Sequence, residues 1–125
     1  MRFLYSFLLY LLIPLALTRL AWRGLRNRGY WRRWAERFGF VPRLSGSVLW
    51  LHAVSVGEVR ASAPLVKSLA RDYPGHTILI TTMTPTGSAT VRELFGTAVA
   101  HCYVPYDLPT AVWRFLNRTR PRLAL

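Results

Sequence analysis

The spacing of hydrophobic and polar residues divides the chain into three regions. The first has sixteen uncharged, mostly large and apolar residues between Arg2 and Arg19. A helix of that length would reach about 24 Å, somewhat less than the roughly 30 Å of a bilayer's hydrocarbon core. Flanking arginine side chains that extend toward the headgroups could make up the difference. We therefore predict a membrane-anchor helix over residues 1–21, either a short span or a deeply inserted segment.

A cleaved signal peptide is the main alternative for this first region, since it also has a short apolar core near the N-terminus. Against it, only Arg2 precedes the apolar run, no small-x-small cleavage motif follows Ala16, and a dense basic run comes next. We favour the anchor. Basic residues after an anchor keep the following chain in the cytoplasm, so we expect a membrane-attached protein with its globular part on the cytoplasmic side.

The second region, residues 22–45, alternates arginine with aromatic residues. Residues 1–43 hold nine of the sixteen arginines and only one carboxylate, within a chain of net charge +12. This composition is typical of a juxtamembrane segment on an anionic membrane surface, with aromatic rings at headgroup depth. Ordinary charge that only fixes topology explains it equally well. Nucleic-acid binding is disfavoured because the run directly follows an apolar anchor.

The third region, residues 46–125, alternates between strand and helix patterns. Strands are predicted at residues 48–53, 77–82 and 98–104, with a fourth beginning near residue 123. Helices are predicted at residues 59–71, 86–95 and 108–118, the last with Asp107 as its N-cap. Such alternation indicates an α/β fold with a Rossmann-like parallel sheet. A single cysteine and three histidines argue against a disulfide framework and a structural metal site.

Loops after the three predicted strands would gather at the carboxyl edge of the sheet, where open α/β folds bind ligands. Glu58 ends the first of them, and a carboxylate there can act as a general base. Ser55 and Glu58 also fit a capping box, in which Glu58 would accept a hydrogen bond from the Ser55 amide. The spacing alone favours the cap over catalysis.

The loop after the second strand holds Thr84, Thr86 and Gly87 at a predicted helix N-terminus. Hydroxyls and free amides in that position form a suitable cradle for a phosphate or a sugar. A threonine cap followed by proline is also common for structural reasons alone. His52 and His101 lie within strands and are more typical of satisfied core residues than of catalysts.

Three segments, LHAVSVGEVRASAPLV, ILITTMTPTGSATV and VPYDLPTAVWRFL, resemble in order and spacing the N-terminal domain of bacterial 3-deoxy-D-manno-octulosonic acid (Kdo) transferases. The resemblance implies the N-terminal half of a GT-B glycosyltransferase of lipopolysaccharide biosynthesis. In that family this half receives the lipid A precursor (lipid IVA), and a C-terminal domain binds the donor CMP-Kdo.

The family's proposed base ends the motif H-A-x-S-V-G-E, which falls on Glu58. By this resemblance Glu58 would deprotonate the acceptor hydroxyl that attacks Kdo, without a metal, a cofactor or a covalent intermediate. The resemblance also makes the following residues candidates for acceptor binding: Ser55, Gly57, Thr84, Thr86 and Gly87.

Two departures from the family pattern qualify these expectations. Met83 replaces a usual threonine, and the family continues past the position of Leu125 into the donor domain. We therefore expect residues 46–125 to be an incomplete acceptor-binding domain that is inactive by itself. The alternative is a basic, membrane-attached binding module without catalytic activity.

Overall fold

The computed structural model describes residues 1–26 and 33–125. Its helices are α1 (Arg2–Leu11), α2 (Ile13–Arg26), a 3₁₀ helix (Trp34–Phe38), α3 (Val56–Ala61), α4 (Ala63–Asp72), α5 (Pro85–Phe95) and α6 (Pro109–Thr119). Its strands are β1 (Ser47–His52), β2 (His76–Thr82), β3 (Ala100–Tyr103) and β4 (Pro121–Ala124).

The four strands form one parallel sheet in the order β3-β2-β1-β4. The chain moves outward from β1 through β2 to β3, then returns through α6 to place β4 on the other side of β1. The order therefore reverses between β1 and β4, and such a switch point is where doubly wound sheets bind ligands. The predicted α/β fold with a parallel sheet is confirmed.

Each face of the sheet carries its own apolar core, because successive strand residues point to opposite faces. On one face Leu51 and Ile80 pack with residues of α3, α4 and α5. On the other face Val48 and Leu79 pack with Phe115 of α6. Burial on both faces explains why the strands are almost continuously apolar.

The helix predicted over residues 59–71 is wrong in one respect, because the structure has two helices separated at Ser62. Pro64 lies in the first turn of α4. Proline has no amide hydrogen and its ring clashes with the preceding helical turn, so a continuous helix is interrupted just before it. The proline was the signal that this prediction overlooked.

The predicted N-cap of the last helix is also wrong. Leu108 is the N-cap of α6 and makes no side-chain capping bond. The Asp107 carboxylate instead accepts a hydrogen bond from the hydroxyl of Tyr5 on α1. The local spacing predicted that the Asp107 side chain caps α6, but it bonds a residue that is distant in sequence instead.

The helices α1 and α2 are separated at Leu12 and lie beside the start of α6. The hydroxyls of Tyr10 and Thr110 are 3.0 Å apart, and Leu20 is buried. Across the described residues, no single helix has the length and apolar composition to cross a bilayer. Residues 2–22 meet that test only as a pair of helices bent by 41°, so the anchor stays a prediction.

Part of the basic second region packs against the sheet. Glu36 of the 3₁₀ helix accepts hydrogen bonds of 2.8 Å from Arg33 Nε and from the Tyr103 amide. Gly39 ends this helix with φ +83°, and a Cβ there would lie 2.3 Å from the Ala111 carbonyl oxygen. Residues 27–32 of the predicted juxtamembrane segment lie outside the described residues.

Candidate functional site

The turn between β1 and α3 holds the candidate base. Ser55 is the N-cap of α3, and its hydroxyl accepts the Glu58 amide at 3.3 Å. In return Glu58 Oε2 accepts the amide of Val54 at 2.8 Å. The predicted capping box is therefore correct for the serine hydroxyl and wrong for the carboxylate, which bonds one residue earlier than expected. Glu58 is exposed, and this bond holds it at the carboxyl end of β1.

The turn between β2 and α5 is built by a similar cap. The Thr84 hydroxyl accepts the Gly87 amide at 3.1 Å and lies 3.1 Å from the Thr86 hydroxyl. Pro85 occupies the first turn of α5, where its missing amide hydrogen costs nothing. Thr84, Thr86 and Gly87 thus make the bonds that are expected of a structural helix cap.

The loops after the three strands meet at one cleft of about 490 Å³, as the topology predicted. Its lining includes Val54 after β1, Met83 and Thr84 after β2, and Tyr106 after β3. Of the candidate acceptor-binding residues, only Thr84 lines this cleft. Glu58 is not in the lining, but its carboxylate bonds the amide of Val54, which is in the lining.

Arg37 also lines the cleft, and the sequence interpretation missed it. Its side chain is only 5% exposed, Nη2 donates to the Met83 carbonyl at 2.8 Å, and its guanidinium carbon lies 4.5 Å from the Tyr103 ring centroid. The Arg37 carbonyl accepts the Tyr106 amide at 2.7 Å. Arg37 thereby ties the loop after β2 to the loop after β3.

Arg37 was grouped with the surface arginines because it lies in a run of similar residues. The available signal was Glu36, the only carboxylate among residues 1–43. Buried charges are usually paired, and Glu36, which pairs with Arg33, marks this part of the run as one that packs against the sheet.

The two histidines considered as candidates, His52 and His101, are satisfied by neighbouring polar groups, as expected. His52 Nδ1 lies 2.9 Å from the Thr81 hydroxyl, and His101 Nε2 lies 2.8 Å from the Thr82 hydroxyl. Burial lowers the pKa of His101 to about 4, with further lowering by Arg33 and Arg92. His101 is therefore neutral at physiological pH. Its bond to Thr82 supports the end of β2, where the turn to α5 begins.

Cys102 follows His101 on β3 and is buried. Burial, with the nearby Glu36 carboxylate, raises the pKa of its thiol to about 12. A thiol with so high a pKa is a poor nucleophile and a poor metal ligand. Within residues 1–26 and 33–125, no group of three His, Cys, Asp or Glu side chains is placed to hold a metal ion.

Comparison with known proteins gives one consistent result. Residues 32–125 match the family described as 3-deoxy-D-manno-octulosonic-acid transferase (kdotransferase). The chain is 42% identical over 99% of its length to the 3-deoxy-D-manno-octulosonic acid transferase of Haemophilus influenzae. It is 38% identical over 99% of its length to the protein of that name in Bordetella pertussis.

A plant protein is similar as well. The chain is 37% identical, over 94% of its length, to a probable mitochondrial 3-deoxy-D-manno-octulosonic acid transferase of Arabidopsis thaliana. The matched segments amount to 30%, 31% and 27% of the Haemophilus, Bordetella and Arabidopsis proteins, respectively. The chain thus spans less than a third of the length of these relatives.

Proposed function

Because the chain belongs to the 3-deoxy-D-manno-octulosonic-acid transferase family, we propose that it forms the acceptor-binding half of a GT-B glycosyltransferase. The donor is CMP-Kdo, bound by the second domain of that fold, and the acceptor is the lipid A precursor, lipid IVA. One observation carries the proposal: within the matched region, the Glu58 carboxylate is held at the carboxyl end of β1, beside the point where the strand order reverses.

In this proposal Glu58 acts as the general base. The acceptor hydroxyl loses its proton to the Glu58 carboxylate while its oxygen attacks the anomeric carbon of Kdo. The bond between that carbon and the CMP phosphate oxygen breaks, and CMP leaves with the bonding electrons. A direct displacement of this kind uses one carboxylate and forms no bond to the protein.

The bond from the Val54 amide is compatible with that role. It engages Oε2 of Glu58, and an ionised carboxylate has two oxygens with about four lone-pair sites. Oε1 is then the atom that takes the proton. Fixing one oxygen to the backbone orients the other, so the helix cap and the catalytic role are served by one residue.

We further propose that α1 and α2 hold the chain at the bacterial inner membrane, with the sheet on the cytoplasmic side. Large apolar residues on α1 are solvent-exposed in the isolated chain, including Phe3 (92%) and Phe7 (61%). Such exposure is unusual outside interaction surfaces. The excess of arginine along the chain favours an anionic membrane surface as the partner.

The test is a chimera in which residues 1–125 replace the matched segment of the Haemophilus influenzae protein. The match covers 99% of this chain, so the exchange keeps the relative's remaining sequence intact. We expect the chimera to transfer Kdo from CMP-Kdo to lipid IVA. Glu58→Gln should lower the rate by about 10²- to 10⁴-fold, the usual contribution of a general base.

Glu93→Gln is the matched control, since Glu93 is exposed on α5. It should leave the rate unchanged. Circular dichroism and the melting temperature should be the same for all three proteins. A folded chimera without Kdo transfer would refute the proposed activity, whereas an active Glu58→Gln variant would refute only the role of Glu58.

A further inference from the structure

Another cavity, of about 250 Å³, lies between the C-terminal half of α6 and the segment that leads into β1. Arg43 lines it shortly before β1 begins at Ser47, and Arg120 lines it directly before Pro121 of β4. Because β1 and β4 are parallel, residues that precede them lie at the amino edge of the sheet. The cavity is therefore on the opposite edge from the cleft and is separate from the proposed site.

Four arginines line this cavity, and no acidic side chain does. They are Arg43, Arg114, Arg118 and Arg120. The two ion pairs within the described parts of the chain lie elsewhere, at Glu36 and Asp72, so none of the four has a carboxylate partner there. Guanidinium groups that are close together without an anion repel one another. An anion bound between them would remove this repulsion.

Two of these arginines are held in place by the backbone. Nη1 of Arg114 donates to the Phe38 carbonyl, and Nη1 of Arg118 donates to the Val41 carbonyl at 3.0 Å. A guanidinium has five N–H donors, so each of the two keeps donors for a ligand. Side chains that are already ordered lose less entropy when they bind an anion.

The other two, Arg43 and Arg120, have no comparable structural role. Both are exposed, and neither side chain forms a hydrogen bond or an ion pair with another described residue. Arg120 follows α6 with φ +44°, a left-handed conformation that glycine adopts more readily. A cation near a helix C-terminus is favourable, but it does not need to occupy that strained position. A ligand in the cavity explains both residues.

We propose that this cavity binds a phosphate group through its four arginines. Arginine N–H groups match pairs of phosphate oxygens, and the side-chain amide of Asn117 in the lining is a further donor. The volume of about 250 Å³ is below the roughly 300 Å³ at the small end of usual ligand pockets. The ligand is therefore a small phosphate compound, such as inorganic phosphate, pyrophosphate or a simple phosphate ester.

The position of the cavity on α6 favours a soluble phosphate over a lipid head group. The proposed membrane contact through α1 lies near the other end of this helix, where the hydroxyls of Tyr10 and Thr110 are 3.0 Å apart. Between Thr110 and Arg120 a helix rises about 15 Å. Phosphate binding is measured without donor or acceptor, so the inference does not rest on the proposed function.

The experiment titrates inorganic phosphate into the full 125-residue chain in the uncharged detergent dodecyl maltoside. Chloride is exchanged for phosphate at constant ionic strength, so that general screening does not change. The Nε–H signals of nitrogen-15-labelled arginine side chains report where phosphate binds and give its dissociation constant. We expect saturable shifts at the four cavity arginines. Shifts that do not saturate, or that are as large at Arg60, would overturn the proposal.

The decisive variant is Arg43→Gln, and Arg60→Gln is its matched control. Arg60 is exposed on α3 and outside the cavity lining, so both substitutions change the net charge equally. Arg43→Gln should raise the dissociation constant of phosphate about tenfold, in keeping with the loss of one charged hydrogen bond. Arg60→Gln should leave it unchanged. Equal weakening by both would show that only general charge attracts phosphate and would overturn the proposal.

Arg120→Gly separates binding from folding. Because glycine adopts the left-handed conformation without strain, this variant should melt no lower than the parent chain in the absence of phosphate. Its dissociation constant for phosphate should nevertheless rise about tenfold. An unchanged affinity in the folded variant would overturn the proposal.

The source of the phosphate is tested with the parent chain in phosphatidylcholine nanodiscs, with and without phosphatidic acid and in phosphate-free buffer. The signals of the cavity arginines should be the same in both nanodiscs and should shift only when soluble phosphate is added. A shift caused by phosphatidic acid alone would overturn the assignment to a soluble ligand.

Discussion

The turns after β1 and β2 both begin a helix with a hydroxyl cap, but they differ in what supports them. In the second turn, Thr84 caps the Gly87 amide, and His101 below it bonds the hydroxyl of Thr82 at 2.8 Å. In the first turn, Ser55 and Glu58 are exposed, and the Glu58 carboxylate bonds only a backbone amide among the contacts described. The second turn is a packed structural unit, whereas the first presents a charged side chain at the switch point.

Gly57 in the first turn and Gly87 in the second turn also differ in how closely they are packed. A Cβ on Gly87 would lie 3.2 Å from Thr82 Cβ and 3.2 Å from the Thr84 hydroxyl, which is closer than ordinary packing allows. A Cβ on Gly57 would meet only the Ser55 hydroxyl at 3.8 Å, an ordinary contact. Packing is therefore tight around Gly87 in the second turn, and a side chain there would force Thr82 or Thr84 to move. In the first, packing among the described residues leaves room for a side chain or for an approaching ligand.

The largest expected effect concerns His101 and acid pH. Its pKa is about 4 in the folded chain and about 6.5 when unfolded, so the unfolded state binds more protons between these values. Stability is complete above pH 6.5 and is lost as the pH falls. The free energy of unfolding should drop by up to about 3 kcal/mol by pH 4. Urea titrations at several pH values measure it.

His101→Gln removes this titration and should flatten the loss of stability between pH 6.5 and pH 5, where few carboxylates titrate. His76→Gln is the control, since His76 is only half-buried at the start of β2. An equally steep loss in the His101→Gln variant would show that the second turn does not depend on a neutral histidine, and the contrast between the turns would weaken.

Much of this fold could be predicted because its signals are local. β1 and β2 were each placed within one residue of their observed limits, since β-branched and apolar runs bounded by turn residues specify buried strands. β3 is shorter than predicted, covering Ala100–Tyr103. Residues 98–99 have strand-like composition but lie in the bend that follows α5.

The site was less predictable, because its details depend on contacts between distant residues. The spacing of Ser55 and Glu58 gives the cap but does not distinguish the Val54 amide from the Ser55 amide as the partner of the carboxylate. Arg37 reaches Met83 across 46 positions of sequence, and Asp107 meets Tyr5 across 102. Neither pairing leaves a periodic pattern in the sequence.

The second-largest expected effect is on the free energy of unfolding when Gly57 and Gly87 are each replaced by alanine. Gly87→Ala should lower the free energy of unfolding by about 2 kcal/mol, because Thr82 and Thr84 must shift to admit the methyl group. Gly57→Ala should change it by no more than about 0.5 kcal/mol, in the stabilising direction, since alanine restricts the unfolded chain. Urea unfolding of both variants at neutral pH measures the difference.

Equal destabilisation by the two alanines would contradict this comparison, because it would place an unrecognised close contact at Gly57. In the chimera, Gly57→Ala adds a second readout. A loss of Kdo transfer without a loss of stability would indicate that the open space at Gly57 accommodates substrate.

The smallest expected effect is the difference in stability lost when each of the two N-cap hydroxyls, Ser55 and Thr84, is removed. Thr84→Ala should cost about 1 kcal/mol, the usual value for losing an N-cap hydroxyl, because its bond to the Gly87 amide is 3.1 Å long and half-buried. Ser55→Ala should cost about half as much, since its bond is 3.3 Å long and exposed to water. Thermal and urea unfolding of both variants, each compared with Ser45→Ala at an exposed position before β1, measure the two costs.

The order of these costs decides how Glu58 should be interpreted. If Ser55→Ala costs as much as Thr84→Ala, the Ser55 hydroxyl is a main support of α3, and the Glu58 carboxylate contributes to the same cap through Val54. A lower cost for Ser55 means that α3 forms without a strong cap, so the geometry of Glu58 is not explained by helix stability. A carboxylate that is held in place at a ligand-binding edge, but contributes little to the stability of the helix, is the arrangement expected of a catalytic base.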